Sequence, residues 1–152
     1  MLPLLMSSPY APKIVIDTQV VMDWLVFKDA RVLPLVEAIH SGRVLWIGTP
    51  DMQAELLHVL GRGVAADRQP DLDAIRRTFA DWCHPVELPP PAVHLRCRDP
   101  DDQIFIDLAL AAKAAWLISR DKAVLALAKR ARVLGPHFLT PEAWIRQQPP
   151  AH

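Results

Sequence analysis

Six acidic side chains fall where a fold could bring them together. Asp17 closes the β-branched run Lys13-Ile-Val-Ile, and Asp121 follows the apolar run Trp116-Leu-Ile-Ser119 almost directly. Asp99, Asp101 and Asp102 precede an apolar helical segment that leads into the second run. Glu55 lies beside Met52, Leu56 and Val59, at the edge of an apolar helical stripe and away from its solvent face. Carboxylates that close parallel strands project into the crevice at the carboxyl ends, where such sheets place their sites. Several carboxylates in one crevice repel one another and destabilise the fold unless a cation sits between them. Hard oxygen donors with no His or Cys among them suit Mg²⁺ or Mn²⁺. The competing structural reading is local: Asp102 and Asp121 precede helices and could serve as N-caps, worth about 1 kcal/mol each.

Other candidate constellations are weaker. Cys83-His84 and His94-Leu-Arg-Cys97 offer two thiols and two imidazoles, but the spacing matches no closed zinc motif and the intervening stretch is proline-rich. His40, His58, His137 and His152 are scattered, with no serine or cysteine motif that would complete a triad. There is no glycine-rich phosphate loop. Arg96 with Arg98, and Arg120 with Lys122, flank the acids and could grip phosphates; the plain reading makes them solvated loop and helix-end charges. Lys129, Arg130 and Arg132 form a further basic group.

The elements that must carry these residues alternate between strand and helix. Lys13–Asp17 has no helical period and no polar alternation, as expected of a strand covered on both faces. Thr18 is expected to cap a helix over 19–27, and a second helix runs from about Ala30 to His40, ended by Ser41-Gly42. Val44–Ile47 is the next strand, and Gly48-Thr49-Pro50 supplies a turn, an N-cap and a proline at the first helical position. A helix from Pro50 to Leu60 follows, then one over Asp71–Cys83 with Leu72, Ile75, Phe79 and Trp82 inward. His84–Pro100 carries five prolines and is expected to be an irregular connection with at most a short extended piece. The remaining expectations are a helix over Gln103–Ala114, a strand over Trp116–Ser119, and a helix from about Lys122 to Lys129. A short strand then lies at Val133-Leu134 or His137–Leu139, before a terminal helix started by Thr140-Pro141. This pattern predicts an α/β fold: a mainly parallel sheet of four to five strands, joined by right-handed crossovers, with helices on both faces.

The 152 residues, 51% hydrophobic, suffice for one substantial core and are too few for two ordinary domains. Residues 1–12 read as a loose N-terminal tail, 13–146 as a single domain and 147–152 as a C-terminal tail. Seventeen basic and seventeen acidic residues give zero net charge, so no global field draws in a polyanion. Weak self-repulsion and apolar helices favour a homodimer, a protein partner, or both. Trp24, Trp46 and Trp116 are expected in the core, whereas Trp82 and Trp144 lie on amphipathic helices that a partner could also cover. Two cysteines make no disulfide framework, which points to a reduced cytoplasm. The apolar start is short and proline-broken, and no segment sustains the roughly 20 apolar residues of a membrane span.

Four segments in order, Ile14-Val-Ile-Asp17-Thr18-Gln19, Thr49-Pro-Asp-Met-Gln-Ala-Glu55-Leu, Asp99-Pro-Asp-Asp-Gln-Ile-Phe105 and Leu117-Ile-Ser-Arg-Asp121, resemble the ordered motif set of PIN domains. More narrowly they resemble the toxin components related to VapC-type toxin–antitoxin ribonucleases, from about Lys13 to about Ile145. The resemblance implies a three-layer α/β/α fold and an acidic quartet, Asp17, Glu55, Asp102 and Asp121, holding one or two divalent ions. It implies Ser119 as the hydroxyl that orients the site, Asp101 as a rival for the third acid, RNA as substrate and an antitoxin as partner. An ion so held would activate water, orient the phosphodiester and stabilise charge in an in-line displacement, with no side-chain nucleophile required. The family usually has Asn two positions after the first Asp; here it is Gln19, the same amide on a longer stem. By that comparison Gln19→Asn should preserve or raise the rate. A phospho-acceptor receiver domain, the first rival, needs an acidic pair after the first strand and a late lysine, whereas here Thr18-Gln19 and Asp121 stand in those places. The second rival is a catalytically impaired module that binds RNA or protein without cutting.

Overall fold

The computed structural model describes residues 11–87 and 95–149. Most of the expected N-terminal tail, the proline-rich centre of the 84–100 connection with His94, and the last three residues lie outside them. Among the described residues the strands are β1 (Lys13–Ile16), β2 (Leu45–Gly48), β3 (His84–Pro85), β4 (Trp116–Ile118) and β5 (His137–Leu139). They form one five-stranded sheet in the order β3-β2-β1-β4-β5, and every pairing is parallel. The helices are α1 (Thr18–Leu25), α2 (Leu33–His40), α3 (Pro50–Gly61), α4 (Leu72–Trp82), α5 (Gln103–Ala111), α6 (Lys122–Leu125), α7 (Ala128–Leu134) and α8 (Pro141–Gln147).

β1 is buried on both faces because its side chains alternate between two cores. Ile14 and Ile16 face a cluster with Val20 and Val21 of α1, Leu35 and Ile39 of α2, Ile75 and Phe79 of α4, and Trp144 of α8. Val15 faces the other cluster, with Phe105 and Ile106 of α5, Val124 of α6 and Ala131 of α7. Three layers result, with the sheet in the middle. Chain order runs outward from β1 to β2 and β3 on one side, then to β4 and β5 on the other, so the strand order reverses between β1 and β4. That reversal opens the crevice in which doubly wound sheets place their sites. Gly48 closes β2 where the chain has no room for a side chain: a Cβ there would stand 2.8 Å from the Cys83 sulfur.

The structure departs from the sequence reading at several element ends. Asp17, not Thr18, caps α1, and its carboxylate accepts the Val20 amide at 3.0 Å. Thr49 precedes α3, but its hydroxyl makes no capping bond. α5 stops at Ala111, and the left-handed Lys113 (φ 55°) turns the chain into β4. The expected helix over 122–129 is two helices. Val124, Leu127 and Ala131 form one apolar stripe across both, but Leu127 takes a tight bond to the Val124 carbonyl that breaks the ladder between them. Val133 and Leu134 end α7 and are exposed; of the two alternatives, His137–Leu139 is the strand. Trp144 is 1% exposed and packs edge-on against Trp116, so the chain itself covers it.

Candidate metal centre

The first, third and fourth segments meet at the crevice between β1 and β4, and the second lines a cleft with Thr18, Asp101 and Asp102. β1 and β4 are held in register by Ile16 opposite Ile118, and the Asp17 amide continues the ladder to the Ile118 carbonyl at 3.0 Å. Asp17 and Ser119 therefore leave the sheet side by side. Ser119 is fully buried, and its hydroxyl donates to Asp17 Oδ2 at 2.5 Å while accepting the Asp121 amide at 3.0 Å. One hydroxyl thus ties the first acid to the backbone of the last. Asp121 in turn caps α6 through Ala123, at 2.7 Å.

The third segment enters through a 3₁₀ turn, Pro100–Asp102, capped by Asp99, whose Oδ1 accepts the Asp101 amide at 3.0 Å. With three residues per turn, positions i and i+3 eclipse, so Asp99 and Asp102 share a face and Asp101 does not. Carboxylate oxygens of Asp99, Asp102 and Asp121 all lie within 4.8 Å of one another, a spacing that one cation could bridge. Asp102 does not cap α5: it makes no side-chain capping bond, and its Oδ2 is buried with no hydrogen-bond partner. The N-cap explanation therefore holds for Asp121 and Asp17 but fails for Asp102.

The electrostatics agree with this geometry. Burial, and after it the repulsion of Asp121, pushes the Asp102 carboxyl up to about 7. Burial also raises Asp17 to about 6, against the lowering pull of Ser119 and the Val20 amide, with Asp121 and Asp23 adding to the rise. A buried oxygen without a donor, in a group held back from ionising first by burial and then by its anionic neighbours, has the chemistry of a cation ligand.

Glu55 is exposed on α3 and shares a cleft of about 480 Å³ with Thr18, Asp51, Met52, Asp101 and Asp102. It stands outside the three-acid cluster, as do Asp17 and the exposed Asp101, so the structure gathers Asp102 and Asp121 with Asp99. Sequence reasoning placed Asp99 only at the approach to the helix. The signal that marks it is Pro100 at the first position of a tight turn, which eclipses the acids on either side of Asp101. Gln19 points its amide at Asp23 Oδ1, 3.2 Å away. Arg120, considered above as a phosphate grip, is instead paired with Asp23 and Glu142. Arg96, Arg98 and Lys122 are exposed. Among the described residues no metal-type cluster contains Cys83 or Cys97; burial pushes the Cys83 thiol up to about 12, unlike a zinc-ligating thiolate.

A wholly parallel sheet with an all-oxygen acid cluster at its point of strand reversal defines an α/β domain whose chemistry lies in an acidic crevice. The chain matches the PIN domain family over residues 13–123, a span that holds β1 to β4 and all six candidate site acids, and it belongs to that family. PIN domains are generally nucleases, and they typically use divalent metals. No curated protein and no solved structure matches the chain. Among the described residues no helix is long and apolar enough to cross a membrane.

Proposed function

We propose that this protein is a Mg²⁺- or Mn²⁺-dependent endoribonuclease, acting in the cytoplasm as the toxin of a toxin–antitoxin pair. The observation that carries the metal dependence is the stranded Asp102 oxygen beside Asp99 and Asp121. These three acids would hold the ion, with Asp17 tied to the same turn by Ser119 and with Glu55 and Asp101 on the walls of the adjoining cleft. When bound, a divalent ion supplies an activated water and stabilises charge on the attacking and leaving oxygens.

The chain's own residues do the rest. Ser119 fixes Asp17 and the Asp121 backbone in one frame, so the acid oxygens are set before any ligand arrives. Met52, Val59, Ile104 and Phe105 wall the cleft with apolar surface against which a base could rest. Exposed Arg96, Arg98 and Lys122 would meet the backbone phosphates at the rim, compensating for the absent net positive charge. RNA as substrate and the antitoxin rest on the motif resemblance to VapC-type toxins, and a homodimer on the zero net charge and apolar helices. Residues 13–146 would act as the single catalytic unit.

Calorimetric titration with Mn²⁺ tests the site itself. Wild type should bind at least one ion per chain and Asp102→Asn should bind far more weakly; equal affinity in the two proteins would remove the acid cluster from the reading. The rival of a binding module without activity is separated by cleavage, since it would bind the ion and RNA and leave the RNA intact.

A further inference from the structure

The structure assigns Arg120 a positioning role: it clamps the turn after β4, which carries Ser119 and Asp121, to the two helices α1 and α8. Three successive side chains of this turn anchor it. Ser119 reaches Asp17 at the start of α1, Arg120 reaches Asp23 further along α1 and Glu142 on α8, and Asp121 caps α6. The Arg120 Nε meets Asp23 Oδ2 at 2.8 Å, and its Nη1 meets Glu142 Oε1. Asp23 is 7% exposed, and its second oxygen takes the Gln19 amide, so the chain Gln19, Asp23, Arg120 and Glu142 is continuous.

This arrangement is directional. A guanidinium presents Nε and Nη1 along different edges of one rigid plane, so a single side chain spans two carboxylates on two helices. Lysine offers one point of charge and can satisfy one of them well. The Ser119 amide already donates to the Leu139 carbonyl of β5 at 3.0 Å, and the Ser119 hydroxyl to Asp17. The further side-chain ties of Arg120 to Asp23 and Glu142 restrain the segment between Ser119 and Asp121, and with it where the Asp121 oxygens stand relative to Asp102 and Asp99. Gln19 accordingly belongs to the clamp, and its longer stem is what lets it reach Asp23 at i+4.

The role rests on the nuclease reading only for its activity readout; amide hydrogen exchange tests the clamp without it. In Arg120→Met, the Asp121 and Ala123 amides, whose acceptors are Ser119 and Asp121, should exchange at least about tenfold faster, while amides inside β1 and β4 keep their protection. In cleavage assays kcat should fall by about tenfold or more with KM unchanged, because the acids are displaced and not the RNA contacts. Arg120→Lys should recover part of both. Glu142→Ala, which removes the half-exposed anchor and leaves Asp23 paired, should show the same pattern more weakly, and it decides the matter should Arg120→Met fail to fold. Folded variants that retain wild-type exchange at Asp121 and Ala123 overturn the clamp. A wild-type protein that cuts no RNA overturns the nuclease reading instead, and exchange then judges the clamp alone.

Discussion

The Ser119 hydroxyl stands 2.5 Å from the Asp17 carboxylate and is donated to it, and the same oxygen holds the amide of Asp121. Two acids that are 104 residues apart in the chain (121 − 17) thus share one buried hydroxyl. Ser119→Ala strands an ionised carboxylate and a backbone amide together. Loss of a buried hydrogen bond to a charged group costs about 2–3 kcal/mol, so thermal melting should fall accordingly, and cleavage with it. A variant that melts like wild type would mean that the hydroxyl orients nothing.

Asp17 links stability to pH. Its folded-state pKa of about 6 lies above the ordinary carboxyl value of 3.8, so the metal-free fold holds a proton that the unfolded chain has lost. The associated stability is complete below about pH 4, declines as pH rises to about 6, and is gone above it; by linkage it amounts to about 3 kcal/mol at most. Asp17→Asn keeps a capping side chain and removes the charge. With chelator near neutral pH it should melt at or above wild type, and the difference should vanish below pH 4. A lower melting point across the whole range would make Asp17 a purely structural cap.

Asp101 and Asp102 separate cleanly. The Asp102 carboxyl, pushed up to about 7, loses stability in the same direction as pH climbs through the window between its ordinary value and 7. Asp102→Asn should therefore stabilise the metal-free protein at neutral pH and abolish the rise in melting temperature that Mg²⁺ gives wild type, since that rise scales with affinity for the folded state. Asp101→Asn, exposed and outside the cluster, should retain most of the rise. Equal behaviour of the two variants would reject the eclipsed-turn assignment.

Gln19→Asn tests a point on which sequence comparison and structure differ. By comparison with the usual motif, Asn should preserve or raise the rate. In the structure the Gln19 amide is committed to Asp23, and the shorter stem gives up that contact. The expected outcome is a rate equal to or below wild type, measured as kcat on one RNA; a clear increase would place residue 19 in the metal site.

Much of the architecture could be read from the chain because burial imposes simple patterns. A strand covered on both faces is apolar along its buried length, which revealed Ile14–Ile16 within β1 and Trp116–Ile118, and a proline at the first helical position located the starts of α3 and α8. The errors share a cause, since they arise where side-chain periodicity is blind to backbone hydrogen bonding. The stripe Val124, Leu127, Ala131 reads as one helix whether or not the ladder breaks at Leu127. Asp17 and Thr18 are both good caps, and only the backbone bond of Asp17 to β4 decides which one leaves the sheet. The cluster membership of Asp99 depends on a 3₁₀ turn, and the pairing of Arg120 joins residues 97 positions apart with no local signal.

The central claim, that the acid cluster cuts RNA through a divalent ion, meets its most direct test in one assay. Purified protein is incubated with an end-labelled single-stranded RNA in Mg²⁺, with or without excess chelator, and the fragments are sized. Internal cleavage that chelator abolishes and Mn²⁺ restores is the predicted result. Cleavage that persists undiminished in chelator would contradict the account.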